Sequence, residues 1–288
     1  MNIMFDLVIK GANAEEFASQ LQLSDVWTKS QSARLCNLNA EQAQALSLKA
    51  KSAKLDANIV EAGLSIKNFG LIALDMDSTL IQLECIDDIA AQLGVGDEVA
   101  EMTEKAMQGE FEFADFLRER SHLLKGASQE VINKTVENAQ LMPGAQVLLN
   151  FAHQHGLSSY IISGGFSDIA HNVSERLNMT GFVCNELVFD NGLLTGEVTG
   201  PAGGEIIDAN GKRAALEVLC MIHGQKLANA IAVGDGANDL KMLEAANIGV
   251  AYHAKPIVSQ ASRFHVDYNG LDTIVDFFIE AWEQAQKK

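Results

Sequence analysis

Two aspartates one residue apart, Asp75 and Asp77, close the apolar run Leu71 to Leu74, and Ser78 and Thr79 follow them in LIALDMDSTLIQLE. Carboxylates at the end of a strand that reads as buried are costly unless something compensates their charge. A metal ion is the first candidate. On an extended chain residues i and i+2 point the same way, so both acids can face one site. Asp235, in ANAIAVGDGAND, adds a third carboxylate. Oxygen ligands of this kind suit Mg²⁺, which keeps several waters and is shared with substrate phosphate. A calcium-binding EF-hand loop is excluded, because Thr79 and Leu80 stand where that loop wants Asp or Asn and then Gly.

Two further stretches carry phosphate chemistry. Ser163-Gly164-Gly165 offers a hydroxyl and open backbone N–H groups ahead of a helix, the makings of a phosphate cradle. No Walker loop accompanies it, and GDGAND lacks the third glycine of a dinucleotide fingerprint. Lys212, in DANGKRAALEVL, falls where a helix begins. The helix dipole disfavours a cation there, and an anionic partner accounts for it. Arg213 competes for the same role, and spacing does not choose between them.

These residues need a scaffold that brings distant segments together. Three apolar runs, LIALDMD, SSYIISGGFSD and ANAIAVGDGAND, each end in small or acidic residues and lead into helix-like segments. Such runs alternating with helices predict a parallel sheet covered on both faces, with ligands beyond the carboxyl ends of its strands. A long insert at about residues 84–140 reads as four amphipathic helices punctuated by glycines, a helical cap over those ends. NELVFDNGLLTGEVTG (185–200) reads as a hairpin turning at Asp190-Asn191-Gly192. Residues 1–66 read as a separate small α+β domain of ferredoxin-like rhythm, with strands at FDLVIKG, SARLCNL and DANIVEA and two helices between them. Residues 67–288 then form the second, larger domain.

The 288 residues are 48% hydrophobic, enough for an ordinary core, and the formal net charge is −17. That acidity argues against nucleic acid or an anionic membrane as partner. The cysteines, Cys36, Cys85, Cys184 and Cys220, lie far apart without metal-ligand spacing, which fits a reduced, cytoplasmic setting. The N-terminus is a poor signal peptide, and no apolar run approaches the roughly 18 residues of a membrane helix.

DMDST, the serine-glycine-glycine end, the downstream lysine and GDGAND, in this order, resemble the haloacid dehalogenase-like phosphatases. The resemblance spans about residues 70–280 and includes the more specific cap segment EKAMQGEFEFADFLRERSHLLKG, which is similar to the phosphoserine phosphatases. It implies an α/β fold: a doubly wound parallel sheet with a helical cap insert, preceded here by the small α+β domain. It implies O-phosphoserine as a small-molecule substrate, hydrolysed to serine and phosphate with Mg²⁺. A related phosphotransferase, passing the phosphoryl group to an alcohol such as homoserine, is the alternative. The resemblance leaves oligomeric state open, a homodimer included.

Carried over by position, the family pattern makes Asp75 the nucleophile that forms an aspartyl-phosphate, and Asp77 the general acid and then base. Mg²⁺ would be held by Asp75, the backbone carbonyl of Asp77, and Asp235. Ser163, Gly164 and Lys212 would bind the phosphoryl oxygens, with Asn238 and Asp239 beside them. In the cap, Glu84 would meet the substrate ammonium and Arg120 its carboxylate, while Met107 and Phe113 pack against it. The sequence independently puts Phe113, Phe116 and Arg120 on one helix face. An arginine among inward aromatics wants an anion that matches its fork.

Overall fold

The computed structural model describes residues 3–107 and 113–283, with backbone alone at 103–107. The N-terminal part runs β1 (Phe5–Lys10), α1 (Ala14–Ser19), β2 (Val26–Lys29), β3 (Ser32–Leu38), α2 (Ala40–Ser52) and β4 (Asp56–Glu61). Its strands form an antiparallel sheet in the order β2-β3-β1-β4. The strand β2, VWTK, is absent from the sequence reading. It is a four-residue, half-buried edge strand whose mixed composition gives little alternation to read.

Alternate residues of β1 serve two cores. Leu7 and Ile9 pack beneath the unit's own helices, whereas Val8 joins the main hydrophobic core with Val60 of β4. The N-terminal sheet is therefore fastened on its second face to the rest of the chain.

The larger part begins at β5 (Leu71–Leu74). Four helices follow as the cap: α3 (Cys85–Leu93), α4 (Gly96–Met107), α5 (Phe113–His122) and α6 (Gln129–Asn138). The chain continues through α7 (Ala145–Gln154), β6 (Ser158–Phe166), α8 (Ser167–Arg176), β7 (Gly181–Asp190) and β8 (Leu193–Thr199). It ends with α9 (Ala209–Ile222), β9 (Ala230–Gly234), α10 (Leu240–Ala245), β10 (Ile248–Tyr252), α11 (Pro256–Ala261), β11 (Phe264–Val266) and α12 (Glu280–Glu283). Seven strands form one sheet in the order β11-β10-β9-β5-β6-β7-β8, parallel except for the last pair. The turn between β7 and β8 uses Asn191 (φ 48°) and Gly192 (φ 81°), the left-handed pair a tight hairpin requires.

The unbroken apolar run of β5 has a direct explanation. Leu71 and Ala73 face a core cluster on one side of the sheet, and Ile72 and Leu74 face the other. Leu74 lies in register with both Val233 of β9 and Ile161 of β6. The residues just past these three points, Asp75, Asp235 and Ser163, are thereby brought to one end of the sheet. Among the described residues no helix is long and apolar enough to cross a membrane.

The N-terminal sheet is tied down by buried polar contacts. The Asn58 side chain exchanges two hydrogen bonds with the backbone of His265, at 2.7 and 2.8 Å, closing the edge of β11. Asp56 accepts from the backbone N–H groups of Asp267, Tyr268 and Asn269. Arg34, fully buried, pairs with Asp6 and donates to the carbonyls of Asp276 and Phe277. Asp276 receives Lys29 at 2.6 Å, Ser32 at 2.7 Å and Lys10 at 3.5 Å.

Candidate active site

A cleft of about 1020 Å³ opens between the strand ends and the cap. Asp75, Asp77, Glu84, Phe113, Arg120, Ser163, Gly164, Asp235 and Asn238 all line it. The Met107 side chain lies outside the described residues. Lys212 and Asp239 sit fully buried beneath the floor.

The floor is an ordered set of charges. Lys212 Nζ lies 2.8 Å from Asp75 Oδ1 and 2.7 Å from Asp239 Oδ1, in the fourth position of α9, whose start Asp208 caps by accepting from Gly211. Burial opposes the ammonium charge, but Asp239 and Asp75 outweigh it and hold the pKa of Lys212 above its ordinary value. Asp239 Oδ2 accepts from the N–H groups of Asp235 and Gly236. Both Asp239 oxygens are thus used, which makes it a brace for the floor.

Carboxylate oxygens of Asp75, Asp235 and Asp239 lie within 4.8 Å of one another. Asp75 Oδ1 is taken by Met76 N–H and Lys212, and Asp235 Oδ1 by the Thr79 hydroxyl at 3.0 Å. Among the described residues nothing donates to Oδ2 of Asp75 or of Asp235. Two hard oxygens without donors, on acids lining one cleft, fit a divalent cation. Burial, then the Asp75 charge, pushes Asp235 up to about 6, the direction a cation would reverse.

Asp77 lies just past the strand, where Ser78 takes the left-handed conformation (φ 55°) and turns the chain toward the cap. Its Oδ1 accepts the Cys85 thiol, with Sγ at 2.8 Å. Burial, then the charges of Glu84 and Asp75, holds its carboxyl well above the usual carboxylate range. The thiol is pushed up by burial and by Asp77, so it remains a donor.

The glycine pair is explained by close approach. A Cβ on Gly164 would lie 2.8 Å from the Phe113 ring, and one on Gly165 3.0 Å from Asp77 Oδ2. The Ser163 hydroxyl oxygen accepts from Gly165 N–H at 2.9 Å, leaving its proton available. Asn185 fixes this loop by donating to the Gly164 carbonyl while accepting from Ile207.

On the cap side, Glu84 stands at the N-cap position of α3 without a side-chain capping bond, and its carboxylate accepts from the Ser78 hydroxyl at 2.8 Å. Burial raises its pKa, with the Ser78 bond opposing. Arg120 stacks over Phe116 at 4.9 Å, as the helix-face reading expects. Its Nη2 lies 3.0 Å from Asp87 Oδ1, so the anion that the arginine wants is first found within the chain. Sequence reasoning missed Asp87, Cys85, Thr79 and Asn185. For Asp87 a signal existed, since it stands three residues after Glu84 on the first turn of one helix. Cys85, Thr79 and Asn185 act through contacts that no spacing announces. Lys255, also missed, lines the same cleft.

Residues 72–244 match the haloacid dehalogenase-like hydrolase family. The chain is 41% identical over 237 residues to a phosphoserine phosphatase of Vibrio cholerae, which covers 82% of this chain and 71% of that protein. It is 40% identical over 231 residues to the phosphoserine phosphatase of Streptomyces coelicolor, covering 80% of this chain and 55% of the relative. A HAD-family hydrolase of Salmonella enterica serovar Typhi superposes with a TM-score of 0.85 at 29% identity, over 96% of this chain and 99% of its own.

Proposed function

The chain belongs to the haloacid dehalogenase-like hydrolase family, and from that premise we propose that it hydrolyses O-phospho-L-serine to L-serine and phosphate. The observation that carries the reading is one cleft that joins two sets of groups. The floor suits a phosphoryl group, and the cap holds a carboxylate, Glu84, and a buried guanidinium, Arg120, suited to an ammonium and a carboxylate.

Asp75 is the nucleophile in this reading. Lys212 fixes its pose through Oδ1, and no described residue donates to its Oδ2. Attack on phosphorus forms an aspartyl-phosphate and releases the serine oxygen. Asp77, whose environment favours the protonated form, gives that oxygen its proton. The resulting carboxylate then takes a proton from the water that hydrolyses the intermediate. Ser163 and the N–H of Gly164 hold phosphoryl oxygens, with Lys212 adding positive charge from below and the neutral Asn238 amide offering a further hydrogen-bond donor. Asp75, the Asp77 carbonyl and Asp235 would hold Mg²⁺, which when bound draws charge from the phosphoryl oxygens. Phe113 and Met107 pack on the substrate, and Glu84 pairs with its ammonium.

We further propose that residues 1–66 act as a small supporting domain, since none of them lines the cleft among the described residues. A panel of phosphate monoesters assayed with and without Mg²⁺, and with homoserine as competing acceptor, tests the function. Phosphoserine is expected to lead the panel only with metal present, releasing phosphate in step with serine. Equal turnover of unrelated monoesters, or phosphohomoserine as the main product, would refute it.

A further inference from the structure

We propose that Asp87 is a specificity-determining positioning residue that presents Arg120 to the carboxylate of the substrate, an inference resting on the phosphoserine reading above. Arg120 comes from α5 and Asp87 from the third position of α3, 33 residues apart, so the contact spans two cap helices. The guanidinium is held on two sides, with its plane on Phe116 and one nitrogen, Nη2, on Asp87 Oδ1 at 3.0 Å. The contact is single. The neighbouring Nε is buried without an acceptor, and nothing among the described residues donates to Asp87 Oδ2.

This arrangement does three things. The Arg120 side chain is only 12% exposed, and burial works against its charge. Asp87, 53% exposed and itself lining the cleft, sustains that charge at small desolvation cost to its own carboxylate. It also fixes the fork in one orientation before substrate arrives, removing the rotamer entropy that a free arginine would lose on binding. Finally, it leaves part of the donor set unspent. A group with a planar pair of oxygens can take the remaining N–H groups, satisfying the orphaned Nε. Because Asp87 offsets the arginine charge, an isolated phosphate gains less there than on the Lys212 floor, which favours substrates carrying both anions at the right separation.

The test compares phosphoserine with phosphoethanolamine, which keeps the ammonium and the phosphate but lacks the carboxylate. Asp87→Ala is expected to lower kcat/KM for phosphoserine by about tenfold to fiftyfold, mainly through KM, and to leave phosphoethanolamine within about threefold. Asp87→Asn, which keeps an acceptor oxygen, is expected to recover most of that loss. In an Arg120→Ala background the Asp87→Ala change is expected to add little, because the two residues act as one unit. Turnover of p-nitrophenyl phosphate, which lacks both recognition groups, confirms that each variant is folded. Equal losses on phosphoserine and phosphoethanolamine, or fully additive losses in the double variant, overturn the role of Asp87. A wild-type enzyme with no preference for phosphoserine over phosphoethanolamine would overturn the carboxylate reading itself. A preference that survives Asp87→Ala overturns only this inference.

Discussion

The Lys212 ammonium lies 2.8 Å from Asp75, with no exposed surface on the lysine. The contact sets a fixed positive charge beside the carboxylate proposed as the nucleophile, and that charge remains in place when the carboxylate carries a phosphoryl group. Asp239 holds the other side of the ammonium, so the lysine does not depend on Asp75 alone for compensation.

That second partner makes Asp75→Asn an informative change. The variant is expected to fold, because Lys212 keeps Asp239, but it lacks the attacking oxygen. Turnover is expected to fall by at least about a thousandfold. Acid quench of the wild type during turnover, followed by hydroxylamine trapping, is expected to locate the phosphoryl group on Asp75. Retention of a tenth of wild-type activity in the variant would rule out this nucleophile.

Arg120→Ala removes the cap cation and leaves Asp87 unpaired at the cleft wall. Its cost on phosphoserine is expected to be roughly tenfold to several hundredfold in kcat/KM, since a charge-assisted contact is worth about 1.5–3 kcal/mol. Phosphoethanolamine is expected to lose little. Glu84→Gln is expected to weaken both substrates, because both carry the ammonium. A matching loss on both esters in Arg120→Ala would mean that the arginine braces the cap or binds phosphate.

The acids on the floor make metal binding depend on pH. Burial, then the Asp75 charge, pushes the Asp235 carboxyl up to about 6, above the ordinary value of about 3.9. A raised carboxyl stabilises the metal-free fold at pH below about 4, and this contribution is lost as pH rises through about 6. A divalent cation binds the ionised form and compensates it. The rise in melting temperature given by Mg²⁺ over EDTA is therefore expected to be larger at pH 7.5 than at pH 5. Thermal melts in matched buffers measure it, and an equal rise at both values would contradict the placement of the cation.

Removing residues 1–66 deletes no described residue of the cleft, but it strips Asp276 of Lys10, Lys29 and Ser32. Breaking a buried pair costs about 3–5 kcal/mol. Each kcal/mol moves the melting temperature of a chain this size by about 2–4 °C. A 67–288 fragment is expected to melt about 10 °C or more below the full chain and to keep kcat within about threefold in its folded fraction. A folded, stable fragment without activity would show that the small sheet positions the cleft.

The α/β class and the parallel core were legible because β5 feeds two cores, so its residues had to be apolar at every position. The acids at its end were legible because nothing apolar could replace them. The hairpin at Asp190-Asn191-Gly192 was legible from turn chemistry alone. The strand Val26–Lys29 was not, since a short edge strand buries too little to impose a pattern. The partners of Asp235 and Asp77 were equally hidden. Thr79 reaches Asp235 across 156 residues, and Cys85 reaches Asp77 only because Ser78 turns the chain back. Asn185 holds the glycine loop from a neighbouring strand, a role that its place in a hairpin gives no hint of.

The bonds from Asp56 to residues 267–269 and from Arg34 to 276–277 set an order of events during synthesis. Asp56 and Asp267 are 211 residues apart, so the small sheet leaves the ribosome long before its anchoring surface exists. Its own helices can cover Leu7 and Ile9 at once, but Val8 and Val60 wait for their partners while the rest of the chain is translated. Such contacts form late, because closing a long loop costs entropy before any contact rewards it. Nascent chains stalled before residue 265 therefore display a sheet face on which Val8 and Val60 stand among Arg34, Asp56 and Asn58, polar groups whose partners in the finished protein are not yet made.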